Sequence, residues 1–505
     1  MVSAFHPALP VRLSGRAQVA GRRERNQHLD DEVPRARPVG VFQIDTVDGP
    51  DLRGGLVRRY RNRLLAGLSA GLVGTLLAAC SGFGAGSDDS GGQTITALVA
   101  AAGAGQKEQY DQYYQALAEE FHKETGATVN FQYYNGGAQE NSIVQTSLVS
   151  GSGPDVIGYG SALGGTLYGT QGFLTLSQQD WDQVGGRDSW NPSTLSVSGP
   201  SPTEDIGVPS FSVPYMVAYN KAMFAKAGIT GPPRTWNEWI EDAQKIQAAS
   251  PGVYGAGFDP ADTLDPWKFV WSYTHQLGGS LLSRDGKEAQ LDSDQVKTAI
   301  GFYFSQLYQY HIVPPESLTW NNAQMLSAFT AGKVAMLPIA TRSTLTAAQS
   351  SPVANDIAFA PLPSVPFGMA GRPAGGTPAL SIVSGQFWAV FKYAENKKSL
   401  ALALAKASNS DAVVLKQYQS LGWTPSTKAG IEMLAKAQPD AKPFLDVAAS
   451  QEATEFTSAW AQLQAGLSTT INKVGSSLAV NGRWNDQELS SELAAGQQAA
   501  QAALK

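Results

Sequence analysis

Thr94-Ile-Thr-Ala-Leu-Val-Ala100, Gln106 to Thr125, Thr128-Val-Asn-Phe-Gln-Tyr133, about Gln139 to Val149, and Pro154-Asp-Val-Ile157 are five consecutive pieces whose reading decides the fold class. The first, third and fifth are short apolar or β-branched runs and read as strands. The second carries Tyr110, Tyr113, Leu117 and Phe121 three and four apart on one face, which reads as an amphipathic helix. Gly126 ends that helix, since a left-handed cap costs glycine little. The fourth piece is a second helix, stopped by Gly151-Ser152-Gly153. Strands separated by helices of this length imply an α/β fold with a parallel sheet and right-handed crossovers. Ligands bind beyond the carboxyl ends of such strands, which points at Tyr134-Asn135 and at Tyr159-Gly160-Ser161. Asn135 is a candidate binding residue on that ground alone.

Upstream, a basic cluster of Arg58, Arg59, Arg61 and Arg63 precedes an apolar run from Leu64 to Ala79. A positive region, a short apolar region and small residues describe a secretory signal peptide at about 56–79. The run is too short and glycine-rich for a comfortable membrane span. It ends Leu77-Ala78-Ala79-Cys80, and Cys80 is the only cysteine of the chain. That run resembles the bacterial lipobox, which implies lipid attachment at Cys80. Residues 81–92 are mostly Gly, Ser and Asp and read, with Cys80, as a flexible tether (80–92). Residues 1–55 have no periodicity and read as a disordered extension. Either translation begins near Val57 or the extension is real. Arg58-Arg59 likewise leaves Sec or Tat export open.

The whole chain has a formal charge of −6. Twelve of its 37 Lys+Arg and seven of its 43 Asp+Glu precede Cys80, which leaves 25 basic and 36 acidic residues, or about −11. An acidic surface argues against nucleic acid, whose binding needs Lys and Arg to displace counterions. With a single cysteine, stability has to come from packing. More than 400 mature residues are enough for two cores.

Gly151-Ser-Gly-Pro-Asp155, Gly172-Phe-Leu-Thr-Leu176, Gly207-Val-Pro209, Val217-Ala-Tyr-Asn-Lys221, and Pro232-Pro-Arg-Thr-Trp-Asn-Glu238 follow one another. Ala328-Phe-Thr-Ala-Gly-Lys-Val-Ala-Met336, Ser384-Gly-Gln-Phe-Trp-Ala-Val390 and Gly422-Trp-Thr-Pro425 come later. Thr235 and Glu238 have the spacing of a capping box, with Trp239, Ala243 and Ile246 on the apolar face of the helix that follows. In this order the series resembles bacterial extracellular solute-binding proteins of the sugar-binding family, relatives of maltose-binding protein. The resemblance runs from about Thr94 to the C-terminus. It implies a two-lobed periplasmic-binding-protein-like fold with discontinuous lobes and a hinged interlobe cleft. Lobe 1 would hold about 93–212 plus 384–425, and lobe 2 about 215–383 plus 426–505. Crossings are expected near Ser210 to Tyr215 and Ser384 to Ala389.

A sugar presents an apolar C–H face to rings and a rim of hydroxyls to planar polar groups. On the resemblance, Tyr159 is where a relative's stacking ring lies, and Asp265-Pro266-Trp267 supplies an acid and a second ring. Asp265 and Pro266 equally suit a helix start. Arg342 stands where a relative carries a stacking tryptophan. It could fork hydroxyls, recognise a carboxylate or phosphate, or pair between the lobes. Tyr215, Gln386 and Trp388 flank the crossings. Trp423 and Trp320 are further candidates. Trp236 and Asp155 read as structural.

An enzyme is the competing class. The one Gly-x-Ser-x-Gly, Gly67 to Gly71, lies in the signal segment, away from any strand–helix elbow. His122, His275 and His311 are the histidines after Cys80, and none has metal-ligand spacing. No cofactor or metal is expected. The resemblance implies an exported monomer, lipid-anchored on the outer face of the cell membrane (the periplasmic side in a diderm), that takes a carbohydrate to an ABC permease. A phosphorylated glycerol derivative or sugar acid is the alternative ligand, and a glycan-acting hydrolase the alternative class.

Overall fold

Alternating apolar runs and amphipathic helices fold as their periods demand. The structure, a computed structural model, describes residues 93–504 apart from 103–105 and 264. The extension, the signal segment, Cys80 and the tether lie outside the described residues. β1 (Thr94–Ala100), α1 (Lys107–Thr125), β2 (Thr128–Tyr134), α2 (Gly136–Ser150) and β3 (Val156–Gly160) open the fold. β4 (Val208–Ser212), β5 (Met216–Asn220), α3 (Trp236–Ala249), β6 (Tyr254–Ala256), α4 (Pro266–Gln276) and α5 (Asp294–Tyr308) follow. Then come β7 (Val334–Ala340), β8 (Ile357–Ala360), β9 (Gly385–Val390), α6 (Asp411–Leu421) and β10 (Thr424–Pro425). α7 (Lys428–Ala437), α8 (Lys442–Ala448), α9 (Trp460–Asn481) and α10 (Asp486–Ala503) close the chain.

The strands form two sheets, ordered β10-β4-β9-β3-β1-β2 and β6-β7-β5-β8. β1 pairs in parallel with β2 and β3, as their helical crossovers require, while β9 lies antiparallel between β3 and β4. Apolar side chains cover both faces of the first sheet. Ile95, Val156, Trp388 and Val390 share one core with Tyr113 and Phe121 of α1, and Leu98, Ile157, Tyr159 and Phe387 share another. The second sheet is buried under a core rich in rings, among them Trp236, Trp239, Trp267, Trp271 and Trp460. The capping box forms: Glu238 N–H donates to Thr235 Oγ1 at 3.1 Å, and Thr235 N–H to the Glu238 carboxylate at 3.3 Å. Trp236 is structural as expected, with its indole N–H on Gln276 Oε1 at 2.8 Å. Asp155 also braces, its carboxylate accepting Thr96 N–H at 2.8 Å.

Between the sheets the chain crosses first at Val213–Tyr215, and returns just ahead of Gly385. β9 and β4 approach so closely there that a Cβ on Gly385 would lie 1.9 Å from the Phe211 carbonyl oxygen. The third crossing falls near Glu452, whose N–H donates to Ser381 O at 2.9 Å beside the Ile382–Glu452 bridge. Residues 428–448 are therefore misplaced by an assignment of 426–505 to the second lobe. α7 turns Leu434 onto Val414 and Tyr418 of α6, a continuous apolar seam that keeps it on the first-sheet side. α8 lies over the hinge, with Phe444 and Val447 against Met216. Gln451 ties the three crossings together. Its amide N–H donates to Ile382 O at 2.8 Å and its carbonyl accepts from the Ser212 hydroxyl.

Candidate ligand-binding cleft

The carboxyl ends of β1, β2 and β3 open onto a chamber of about 290 Å³ between the sheets. Its first-lobe wall is aromatic: Tyr110 and Tyr114 from α1, Tyr134 from the end of β2, and Trp423 ahead of β10. Phe211, Tyr215 and Gln386 line it at the crossings, and Thr341 and Ser343 face it from beyond β7. Trp423 stacks on Phe211 with centroids 3.8 Å apart, and Tyr110 meets Trp423 edge-on at 5.3 Å. Gln386 Oε1 accepts from the Tyr114 hydroxyl at 3.4 Å, while its buried Nε2 has no protein partner.

A smaller chamber of about 160 Å³ adjoins, sharing Tyr215, Thr341 and Ser343 and adding Asp265 and Asn322. Asn322 Nδ2 donates to Asp265 Oδ2 at 2.6 Å. The other Asp265 oxygen pairs with Lys268, whose ammonium lies 4.6 Å from the centre of the Tyr215 ring. Burial alone would lower the Lys268 pKa, but Asp265 and Tyr215 outweigh it and hold the amine charged. Below them Asp259 is 5 % exposed. Burial, reinforced by Asp265 and Asp262 and opposed by Lys268, pushes its carboxyl well above the usual range.

Of the residues singled out in the sequence, Tyr215, Gln386, Trp423 and Asp265 meet at these chambers. Five others do not reach them. Tyr159 is fully buried and stacks on Phe387, because alternation along β3 turns Gly158 and Gly160 toward the cleft and Tyr159 to the opposite core. Trp267 is 4 % exposed and packs edge-on against Trp460. Trp388 is core, its indole N–H on Ser408 Oγ at 3.3 Å. Trp320 is half-buried beside Met325 and Phe329. Asn135 is exposed ahead of α2, its N–H held by Gln139 at 2.6 Å. Pro266 does open α4, but Asp265 makes no cap hydrogen bond.

Arg342 bridges the lobes. Its guanidinium lies 4.2 Å from the Tyr418 ring centre, donates to Tyr418 O at 3.1 Å and pairs with Asp440 at 3.3 Å. Sequence reasoning missed Tyr110, Tyr114, Phe211 and Asn322 as cleft residues, and Lys268 as the buried partner of Asp265. Tyr134 was in reach, since the strand-end rule named it beside Asn135. Among the described residues no cluster of His, Cys, Asp and Glu could hold a metal ion, and no helix is long and apolar enough to cross a membrane.

Two α/β lobes on three crossings, with a ring-walled cleft between them, define a hinged binding protein. The family model for bacterial extracellular solute-binding proteins matches residues 104–414, and the chain belongs to that family. It is therefore an exported binder of solutes rather than an enzyme. A putative binding protein of Brucella abortus (strain 2308) is 26 % identical over 340 residues, 64 % of this chain and 71 % of the relative. The diacetylchitobiose-binding protein DasA of Streptomyces coelicolor is 28 % identical over 236 residues, 45 % of this chain and 51 % of that one. Among solved structures, maltose-bound MalE3 of T. maritima superposes with a TM-score of 0.66 at 19 % identity, covering 80 % of this chain and 99 % of its own. The GacH receptor of Streptomyces glaucescens, studied with acarbose, gives 0.64 at 19 % identity, covering 82 % and 98 %.

Proposed function

We propose that the protein captures a carbohydrate in the interlobe cleft and delivers it to an ABC importer, held at the outer face of the cell membrane by lipid on Cys80. The observation that carries this is the chamber itself: rings on one wall, with amide, hydroxyl and carboxylate groups from both lobes around the rest. Rings suit the apolar face of a sugar, and planar polar groups suit its hydroxyls. The relatives named for diacetylchitobiose, maltose and acarbose point to the same ligand class. A ligand touching both lobes shifts the population toward a closed form, the state a permease can distinguish. An anionic ligand is less well served, because Arg342 and Lys268 are both engaged by protein carboxylates.

Isothermal titration of the purified protein against mono- and oligosaccharides is the test. Micromolar or tighter binding of at least one neutral sugar is expected. Silence across the panel, with binding of a sugar phosphate or acid instead, would transfer the site to the other ligand class. For the anchor, wild-type protein expressed in its host is expected in the membrane fraction, and Cys80→Ser in the soluble exported fraction.

A further inference from the structure

A second groove, about 610 Å³, runs between the lobes on the far side of Tyr134. Glu140, Asn141 and Gln145 of α2 face Gln464, Ser468 and Thr469 of α9 across it. Its character is opposite to that of the chamber. No ring lines it, and its polar lining is amide and hydroxyl except for one ionisable group, Glu140. Glu140 is 4 % exposed, and its Oε1 is buried without a hydrogen-bond partner in the protein. The two spaces share a wall, because Tyr134 lines the ring-walled chamber and its hydroxyl faces the Glu140 carboxyl.

A buried carboxyl oxygen with nothing donating to it is unfavourable, and it points to a missing donor. We propose that the groove is a second compartment of the ligand site, where a hydroxyl-bearing second sugar unit donates to Glu140 while the first unit stacks in the chamber. The ligand is then an oligosaccharide of at least two units. This rests on the carbohydrate reading above and fixes the ligand's size and its polar end. The electrostatics of the groove agree with this geometry: burial raises the Glu140 carboxyl to about 7, with Tyr134 opposing. Tyr134 is the titratable group that faces Glu140, and the side chains lining the groove opposite are uncharged. A hydroxyl donating to the carboxylate favours the ionised form, so binding should release a proton and strengthen as pH rises through about 7.

The experiment compares titrations of an oligosaccharide with its own monosaccharide at pH 8 and pH 5.5, in wild-type protein and in Glu140→Gln and Gln464→Ala. In the wild type the longer sugar is expected to bind at least tenfold tighter at pH 8, with the advantage shrinking at pH 5.5. Glu140→Gln should remove most of that advantage and its pH dependence, bringing long and short sugars to similar affinities. Gln464→Ala, on the opposite wall, should cut the advantage several-fold. Equal affinity for short and long sugars overturns the inference, as does an advantage that both variants retain; neither result touches the carbohydrate reading. Failure of every sugar to bind overturns both.

Discussion

Both lobes bury rings in their cores, but only the first also spends a set of them on the wall of the cleft. In the second, Trp236, Trp239, Trp267 and Trp271 are all buried in one core under the sheet, and three of their indole N–H groups donate inward to Gln276, Gln306 and Glu455. In the first, Tyr110, Tyr114, Tyr134 and Trp423 stand at the sheet's edge and wall an open chamber. Helix α4 is buried on nearly every face, between α5, α9 and β7, so a ring anywhere along it is absorbed by packing. Helix α1 buries one stripe only, and its first turns overhang the strand ends. Ring content by itself therefore says little about a sugar site. The decisive variable is how many sides of the supporting element are already covered.

The contrast breaks most visibly at Trp267 and Trp423. Trp267→Ala should lower unfolding free energy by roughly 3–5 kcal/mol through the cavity it leaves, with sugar affinity unchanged in protein that remains folded. Trp423→Ala should do the reverse in emphasis, weakening sugar binding by about 1.5 kcal/mol or more, tenfold, because a stacking face is lost. Denaturant melts and titrations on both variants decide it. Loss of affinity in Trp267→Ala at unchanged stability would return that ring to the cleft.

The second lobe's inward bonding also has a pH signature. Glu455 accepts from Ser280 Oγ at 2.6 Å, Leu281 N–H at 2.8 Å and Trp271 Nε1 at 3.0 Å, with His275 Nε2 at 3.3 Å. Burial would raise this carboxyl, but His275 and these donors overcome it and hold it down at about 2. A depressed carboxyl contributes stability that is complete above its unfolded value near 4.5 and is lost as pH falls through about 2. The shift corresponds to on the order of 3 kcal/mol. Glu455→Gln should be destabilised by up to that amount at pH 7, and its deficit against wild type should close as pH falls from about 4.5 toward 2. A deficit that stays constant with pH would mean the residue acts by shape alone.

Much of the fold was legible because it rests on local periodicity. The parallel order of the first three strands, the cap at Thr235, the inward turn of Trp236 and the first crossing near Ser210 to Tyr215 all follow from runs shorter than twenty residues. The lining of the candidate cleft was legible only where position along the chain coincides with direction in space, as at Tyr215, Gln386 and Trp423. At β3 it failed by one residue, since Gly158 and Gly160 rather than Tyr159 look into the chamber. The glycines were the available signal: a bare backbone flanking a ring leaves room on the face opposite to it. The third crossing and the placement of α7 depend on Gln451 and on the α6–α7 seam, long-range contacts for which no short stretch carries a sign.

Arg342 gives the smallest expected effect and the sharpest test of what joins the two lobes. Its partners all lie across the cleft, at Tyr418 and Asp440, while its own backbone follows β7. Asp440 is largely exposed, with 57 % of its side chain accessible, so the ion pair is screened and most of the contact's value lies with the ring and the carbonyl. Arg342→Ala should therefore shift the open–closed equilibrium by only about 1 kcal/mol, or roughly fivefold in population. Small-angle scattering of the unliganded variant should show a more open average shape, and stopped-flow release of bound sugar should be several-fold faster with little change in the melting temperature. If the variant instead loses neutral-sugar binding altogether while its unliganded shape is unchanged, the guanidinium touches ligand rather than joining the lobes.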